Sequence, residues 1–320
     1  MKRKRLLKIL GWLLAVAVFI GIIGFLHVRS VATGKAEPSV PTNYQEIEAN
    51  GYTFSTQISG HPDSTAVILL HGFPESSAMW KQFMSDLNEQ GYYTIAPNQR
   101  GYSAGARPSE IEQYAVKHLG SDVIEIAKTL GIDQFHLVGH DWGSGVGWWV
   151  AAEHPEQVLS YTSLSVPHLG AFGRAYREDS LQHTASSYIR NFQIKILPEY
   201  YIARSDYKLL RSFYNRQGPE ETQAYLDLFS QKGALTSAIN WYRANFDTFD
   251  KGIDLPAVKV PVLFVWGNKD RALQRSGVEW TEEYVEDYYR FVELEAGHWL
   301  IQEKYDTIYQ EILQHLRRPQ

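Results

Sequence analysis

Cysteine is absent from this chain of 320 residues, which excludes disulfide staples and thiolate ligands while leaving the compartment open. Internal repeats, low-complexity tracts and clusters of residues at metal-ligand spacing are missing as well. No metal and no organic cofactor is therefore expected. Positive charge is scarce once the amino terminus is set aside. The formal net charge is -5, and removing Lys2, Arg3, Lys4, Arg5 and Lys8 takes it to -10 (-5 minus 5). An acidic remainder does not suit a nucleic-acid groove, so no nucleic-acid partner is expected.

A long apolar run occurs once, over residues 9–26, directly after those five cations. Its 18 residues lie at the lower end of the roughly 17–25 that span a bilayer as a helix. A cleaved signal peptide has a shorter core of about 7–15 residues and a small-x-small site, which Arg29 to Thr33 do not supply. Residues 1–29 are thus expected to form an uncleaved signal anchor, with a single transmembrane helix at about 9–26. The excess of early cations places the amino terminus in the cytoplasm and the rest of the chain on the extracytoplasmic side. Residues 30–50, with Gly34, Pro38 and Pro41 among polar neighbours, read as a linker.

From residue 51 onward, β-rich runs alternate with amphipathic stretches, the pattern of an α/β fold with a mostly parallel sheet flanked by helices. Strands are expected at 52–58, 66–70, 92–96, 135–138, 158–166, 260–266 and 289–294. Helices are expected over about 77–87, 121–130, 142–152 and 301–316. Between them, 168–250 is helical, rich in tyrosine and without strand periodicity. The roughly 270 residues of this part exceed the usual domain size of about 100–200. A core in two parts, 51–167 and 251–320, with an all-helical cap inserted at 168–250, accounts for the excess.

The most informative stretch is Gly139-His140-Asp141-Trp142-Gly143, immediately after an apolar run. Small residues two before and two after a central one are what a sharp strand-to-helix turn requires. Such a nucleophile elbow pushes its middle side chain out at the carboxyl end of a parallel sheet. The middle residue here is Asp141, not the usual serine. A carboxylate attacks alkyl carbon and leaves an ester for water to cleave, which points to epoxide or carbon–halogen chemistry. Ser144 is no rival, because Trp142 and Val146 flank it by two and are too large for the turn. A loop of turn formers remains the plainer reading of the five residues taken alone.

Four motifs taken together, His71-Gly72-Phe73-Pro74-Glu75, Gly139-His140-Asp141-Trp142-Gly143, Trp266-Gly267-Asn268-Lys269-Asp270 and Gly297-His298-Trp299, resemble the α/β-hydrolase superfamily and, within it, the epoxide hydrolase branch. The resemblance covers essentially all of 51–320. It implies an α/β-hydrolase fold and a triad in the chain order Asp141, Asp270, His298. Glu293 and Glu295 compete with Asp270 for the acid role, but both lie along the strand leading to His298, so Asp270 is kept and Glu295 is a distant second. The backbone amides of Phe73 and Trp142 are the implied oxyanion donors, with His71 supporting their loop and Pro74, often cis in the family, fixing it. Two cap tyrosines are implied over the nucleophile: Tyr242, in Asn240-Trp241-Tyr242-Arg243, and Tyr188, with Tyr200, Tyr201 and Tyr214 behind it.

The expected activity is hydrolysis of a small apolar epoxide to a vicinal diol through an Asp141 ester. Haloalkane dehalogenase shares the aspartate elbow and is the alternative. A membrane-tethered binding protein on a retired hydrolase fold is a third reading, disfavoured because nucleophile, base and oxyanion loop are all present. The Asn98-Gln99-Arg100-Gly101 turn departs from the Asp-x-Arg-Gly more often found at that place.

Overall fold

The structure, a computed structural model, describes residues 2–38, 40–41 and 43–319, with side chains described from residue 16 onward. Helix α1 (Lys2–Ala32) leads into the globular part. The sheet begins with β1 (Gln45–Ala49) and β2 (Tyr52–Ser59). β3 (Ala66–Leu70), α2 (Lys81–Glu89), β4 (Tyr93–Pro97) and α3 (Val116–Thr129) follow. The chain continues through β5 (Phe135–His140), α4 (Trp142–Glu153) and β6 (Val158–Leu164).

Seven helices then form a cap: α5 (Leu169–Glu178), α6 (Ser180–Ala185), α7 (Ser187–Phe192), α8 (Leu197–Phe213), α9 (Pro219–Ser230), α10 (Ala234–Ala244) and α11 (Phe246–Lys251). The sheet resumes with β7 (Val262–Gly267), α12 (Arg275–Trp280) and β8 (Tyr289–Leu294), and α13 (Leu300–Leu316) closes the chain.

The strand order is β1-β2-β4-β3-β5-β6-β7-β8. β1, β2 and β4 pair antiparallel in turn, and every pair from β4 to β8 is parallel. Burial follows position. All five residues of β3 and all six of β5 are buried, as central parallel strands between two helical layers should be. The edge strand β8 keeps Phe291 and Glu293 exposed. Because β3, β5, β7 and β8 run the same way, the turns after Leu70, His140, Gly267 and Leu294 all emerge at one end of the sheet. Ligands in open α/β sheets bind in the crevice outside those carboxyl ends.

One expectation for the amino-terminal part needs correcting, and another is without support. Residues 30–50 are not a plain linker, because they contain β1. Ile47 and Ala49 are buried, and the alternation in Gln45–Ala49 matches a half-buried strand. The turn to β2 is Asn50-Gly51, with φ of 50° and 75°, the positive values that a two-residue hairpin demands and that an Asn-Gly pair supplies. The transmembrane helix is not supported: no helix among the described residues is long and apolar enough to cross a membrane. The expected span reaches back into residues 9–15, whose side chains lie outside the described residues.

Candidate active site

Asp141 has φ 52° and ψ -121°, a conformation that L-residues seldom adopt and that costs of order 1–3 kcal/mol. The surrounding glycines permit it. A Cβ on Gly139 would lie 2.4 Å from the Gly143 carbonyl oxygen, and one on Gly143 would lie 2.1 Å from the carbonyl oxygen of Leu70. Strand β5, helix α4 and strand β3 therefore meet at a spacing only hydrogen atoms allow. Ser144 is fully buried beneath this turn, its hydroxyl 2.7 Å from the Gly139 carbonyl and 2.9 Å from that of Leu164.

The Asp141 carboxylate has two differently placed oxygens. Oδ1 accepts the Phe73 backbone N–H at 2.8 Å, and the Trp142 amide also hydrogen-bonds the group. Oδ2 lies 3.3 Å from His298 Nε2. On the other side of the ring, His298 Nδ1–H donates to Asp270 Oδ2 at 2.7 Å. The second oxygen of Asp270 accepts the amides of Ala272 at 2.7 Å and Leu273 at 3.1 Å, so its orientation is fixed by its own turn. Burial works against charge on Asp141, yet the His298 partner and the Trp142 amide outweigh it and hold the carboxyl below its ordinary range. Burial likewise opposes charge on His298, but Asp270 and Asp141 together raise the imidazole well above its ordinary value. The competing carboxylates lie elsewhere: Glu295 pairs with Lys269 at 2.7 Å and Glu293 with Arg275 at 2.8 Å, both at the surface.

A layer that the sequence did not reveal lies behind His298. The His298 carbonyl accepts from Ser165 Oγ at 2.7 Å and from His140 Nε2 at 3.0 Å. His140 Nδ1 faces Glu75 Oε2 at 3.3 Å, both side chains being fully buried. Glu75 Oε1 accepts from Gln217 in the cap and Gln302 on α13, each at 2.7 Å. One network thus joins the elbow, the His-Gly-Phe-Pro loop, the cap and the last helix. The only available signals were the position of His140 inside the elbow and of Glu75 after Pro74. The Phe73–Pro74 peptide is cis. His71 supports the same loop from Gln99, whose backbone N–H donates to Nε2 at 3.2 Å and whose side-chain amide donates to the His71 carbonyl at 2.6 Å. The neighbouring Arg100 forms a buried bidentate pair with Asp122, at 2.7 and 2.8 Å.

Above Asp141 stand Tyr188 from α7 and Tyr242 from α10, their ring centroids 5.8 Å apart. Phe73, Trp142 and Phe192 pack edge-on against the Tyr242 ring at 5.8, 5.1 and 4.9 Å. Burial, reinforced by the Asp141 charge, pushes both phenols well above their ordinary range, so each is a neutral hydrogen-bond donor at physiological pH. The Trp142 side chain hydrogen-bonds Tyr242. Asp141, Tyr188 and Tyr242 together line a cavity of about 790 Å³. Tyr200 and Tyr201 line its outer reaches, whereas Tyr214 is turned to the Pro74 carbonyl, to which it donates.

This arrangement is that of a hydrolase. Residues 65–305 match the alpha/beta hydrolase fold family, and the chain belongs to it. Within that family it is similar to the epoxide hydrolase branch. It is 32% identical over 282 residues to the AB hydrolase superfamily protein YfhM of Bacillus subtilis, covering 85% of this chain and 97% of that one. It is also 32% identical over 286 residues to Epoxide hydrolase 4 of Homo sapiens, covering 85% and 78%. The crystal structure of the Bacillus megaterium epoxide hydrolase in complex with an inhibitor superposes with a TM-score of 0.78 at 27% identity, over 86% of this chain and all of the other.

Proposed function

We propose that the protein hydrolyses an epoxide to a vicinal diol through a covalent ester on Asp141. Oδ2, the oxygen that faces His298 Nε2, attacks a ring carbon in line with its C–O bond. The bond electrons pass to the ring oxygen, which Tyr188 and Tyr242 hydrogen-bond as it becomes an alkoxide and takes up a proton. Ester formation removes the Asp141 charge, one of those that raise His298. The imidazole thereby becomes a better base at the stage where a base is needed. Its Nε2 then takes a proton from water as that water adds to the ester carbon. Negative charge gathers on Oδ1, already held by the Phe73 amide, with the Trp142 amide on the same carboxyl; loss of one such donor costs about 2.7–4 kcal/mol of barrier. Collapse expels the ester oxygen, which takes the proton held on His298 Nε2. The proton left on the Asp141 carboxyl makes up the one the alkoxide took, so the carboxylate returns and the diol leaves.

The observation that carries this reading is the asymmetry of the Asp141 carboxylate: Oδ1 sits on the Phe73 amide while Oδ2 faces His298, in a cavity shared with two phenols. Dehalogenation is served less well. A halide needs two N–H donors, and here the Trp142 side chain is engaged by Tyr242 while the other flank carries the hydrocarbon ring of Phe73. The test is a single turnover in heavy-oxygen water. The label should enter Asp141 and be absent from the first diol released, and Tyr242→Phe should slow ester formation by roughly 10–100-fold. Label in the first diol would overturn the covalent route.

Attachment to a membrane through residues 9–26, with the catalytic part on the extracytoplasmic side, remains a further part of the proposal. Its support is the cation-then-apolar order of the sequence, together with an apolar helix surface on which Phe19 and Ile20 are each 63% exposed.

A further inference from the structure

Asp141, Tyr188 and Tyr242 line a second cavity besides the large one, and it has only about 40 Å³. The two spaces share these three lining side chains and no others, so each extends from them along its own wall. We infer that the site takes a one-sided epoxide, a terminal or methyl-bearing ring with a single long apolar tail. This rests on the epoxide reading of the site and adds the class of substrate.

The argument starts from the ring. With Asp141 below and two phenols above, the two carbons of a three-membered ring point their substituents sideways, one toward each cavity. The large arm, about 790 Å³, lies within the range of drug-sized ligand sites and is walled by Phe73, Phe192, Leu197, Tyr201, Leu210 and Phe213. The small arm has room for about one or two groups the size of a methyl or a water. Packed aromatics wall it. Phe172 and Phe249 meet edge-to-face at 5.1 Å, and Phe249 lies 5.8 Å from Trp142, all three rings being buried. Leu273 and Ile189 complete the wall. A propyl or phenyl group on that side must displace rings that already fill their space, and overpacking a full core is unfavourable.

The full-length protein is assayed with three probes: propylene oxide, the terminal epoxide of dodecene, and the mid-chain trans epoxide of the same alkene length. The terminal dodecene epoxide should exceed its mid-chain isomer in kcat/KM by roughly 10–100-fold. Phe249→Ala should narrow that ratio by raising the mid-chain rate. Phe172→Ala and Leu273→Ala serve the same purpose should the first variant fail to fold. Equal rates for the two isomers in the wild type would overturn the inference while leaving the epoxide reading intact. So would an unchanged ratio in folded variants. No diol from any probe, propylene oxide included, would overturn the epoxide reading itself.

Discussion

At the residue scale, His298 owes most to its surroundings. A buried imidazole alone would favour the neutral form, and only the carboxylates of Asp270 and Asp141 reverse that. Its folded pKa lies above the unfolded value of about 6.5, so its contribution to stability is fully present below that pH and is lost as pH rises through the folded value. Asp141 is shifted the other way, so its contribution is present above the ordinary carboxylate range and is lost as pH falls through its lowered value. The pair should therefore stabilise the fold most between about pH 4 and 6.5. Thermal midpoints of wild type and His298→Gln, followed across pH, should differ most near pH 6 and converge on the alkaline side. A difference that stays constant up to high pH would contradict the ion pair. Asp141, Asp270 and His298 were legible in the sequence because each follows a strand in a short turn. Glu75 was not, because its partners Gln217 and Gln302 lie 142 and 227 positions away, and only the finished fold brings them to it.

At the element scale, the β5–α4 junction sets the tightest demand. Gly143→Ala would place a methyl group 2.1 Å from the Leu70 carbonyl oxygen, in backbone that cannot swing aside. The chain must open there, at a cost on the order of 3 kcal/mol. Gly145 stands two residues on in the same helix, and its added Cβ would meet nothing nearer than Leu169 at 3.5 Å. Gly145→Ala should gain up to about 1 kcal/mol from helix propensity. Urea midpoints for the two variants should move in opposite directions with the slope unchanged. Loss of stability in both would mean that α4 tolerates no side chain on this face, not that one contact decides. The same junction shows why most elements were readable: long buried runs such as Ala66–Leu70 and Phe135–His140 declare central strands. β1 did not declare itself, since its five residues follow Pro38 and Pro41 and only Asn50-Gly51 marks the hairpin.

On the scale of the whole molecule, the amino-terminal helix and the cap are joined by a strap. Ala32 is buried, the Lys35 and Ala36 amides both donate to the Ser230 carbonyl at 3.0 Å, and Lys232 N–H donates to the Ala36 carbonyl at 2.9 Å. His27 packs edge-on to Tyr200, which lines the large cavity. The chain before His27 has a different surface: Val18, Phe19, Ile20, Ile22, Ile23, Phe25 and Leu26 are all more than half exposed. Two truncations separate the two parts. Removing residues 1–26 should abolish flotation with lipid vesicles while leaving turnover of a long-tailed epoxide close to that of the full chain. Removing residues 1–36 should also raise KM for that substrate, with little change for propylene oxide, because Tyr200 on α8 then loses His27 and the turn between α9 and α10 loses the strap. Equal flotation of the full chain and the shorter truncation would end the membrane proposal. Identical KM values for the two truncations would show that the strap does not shape the cavity.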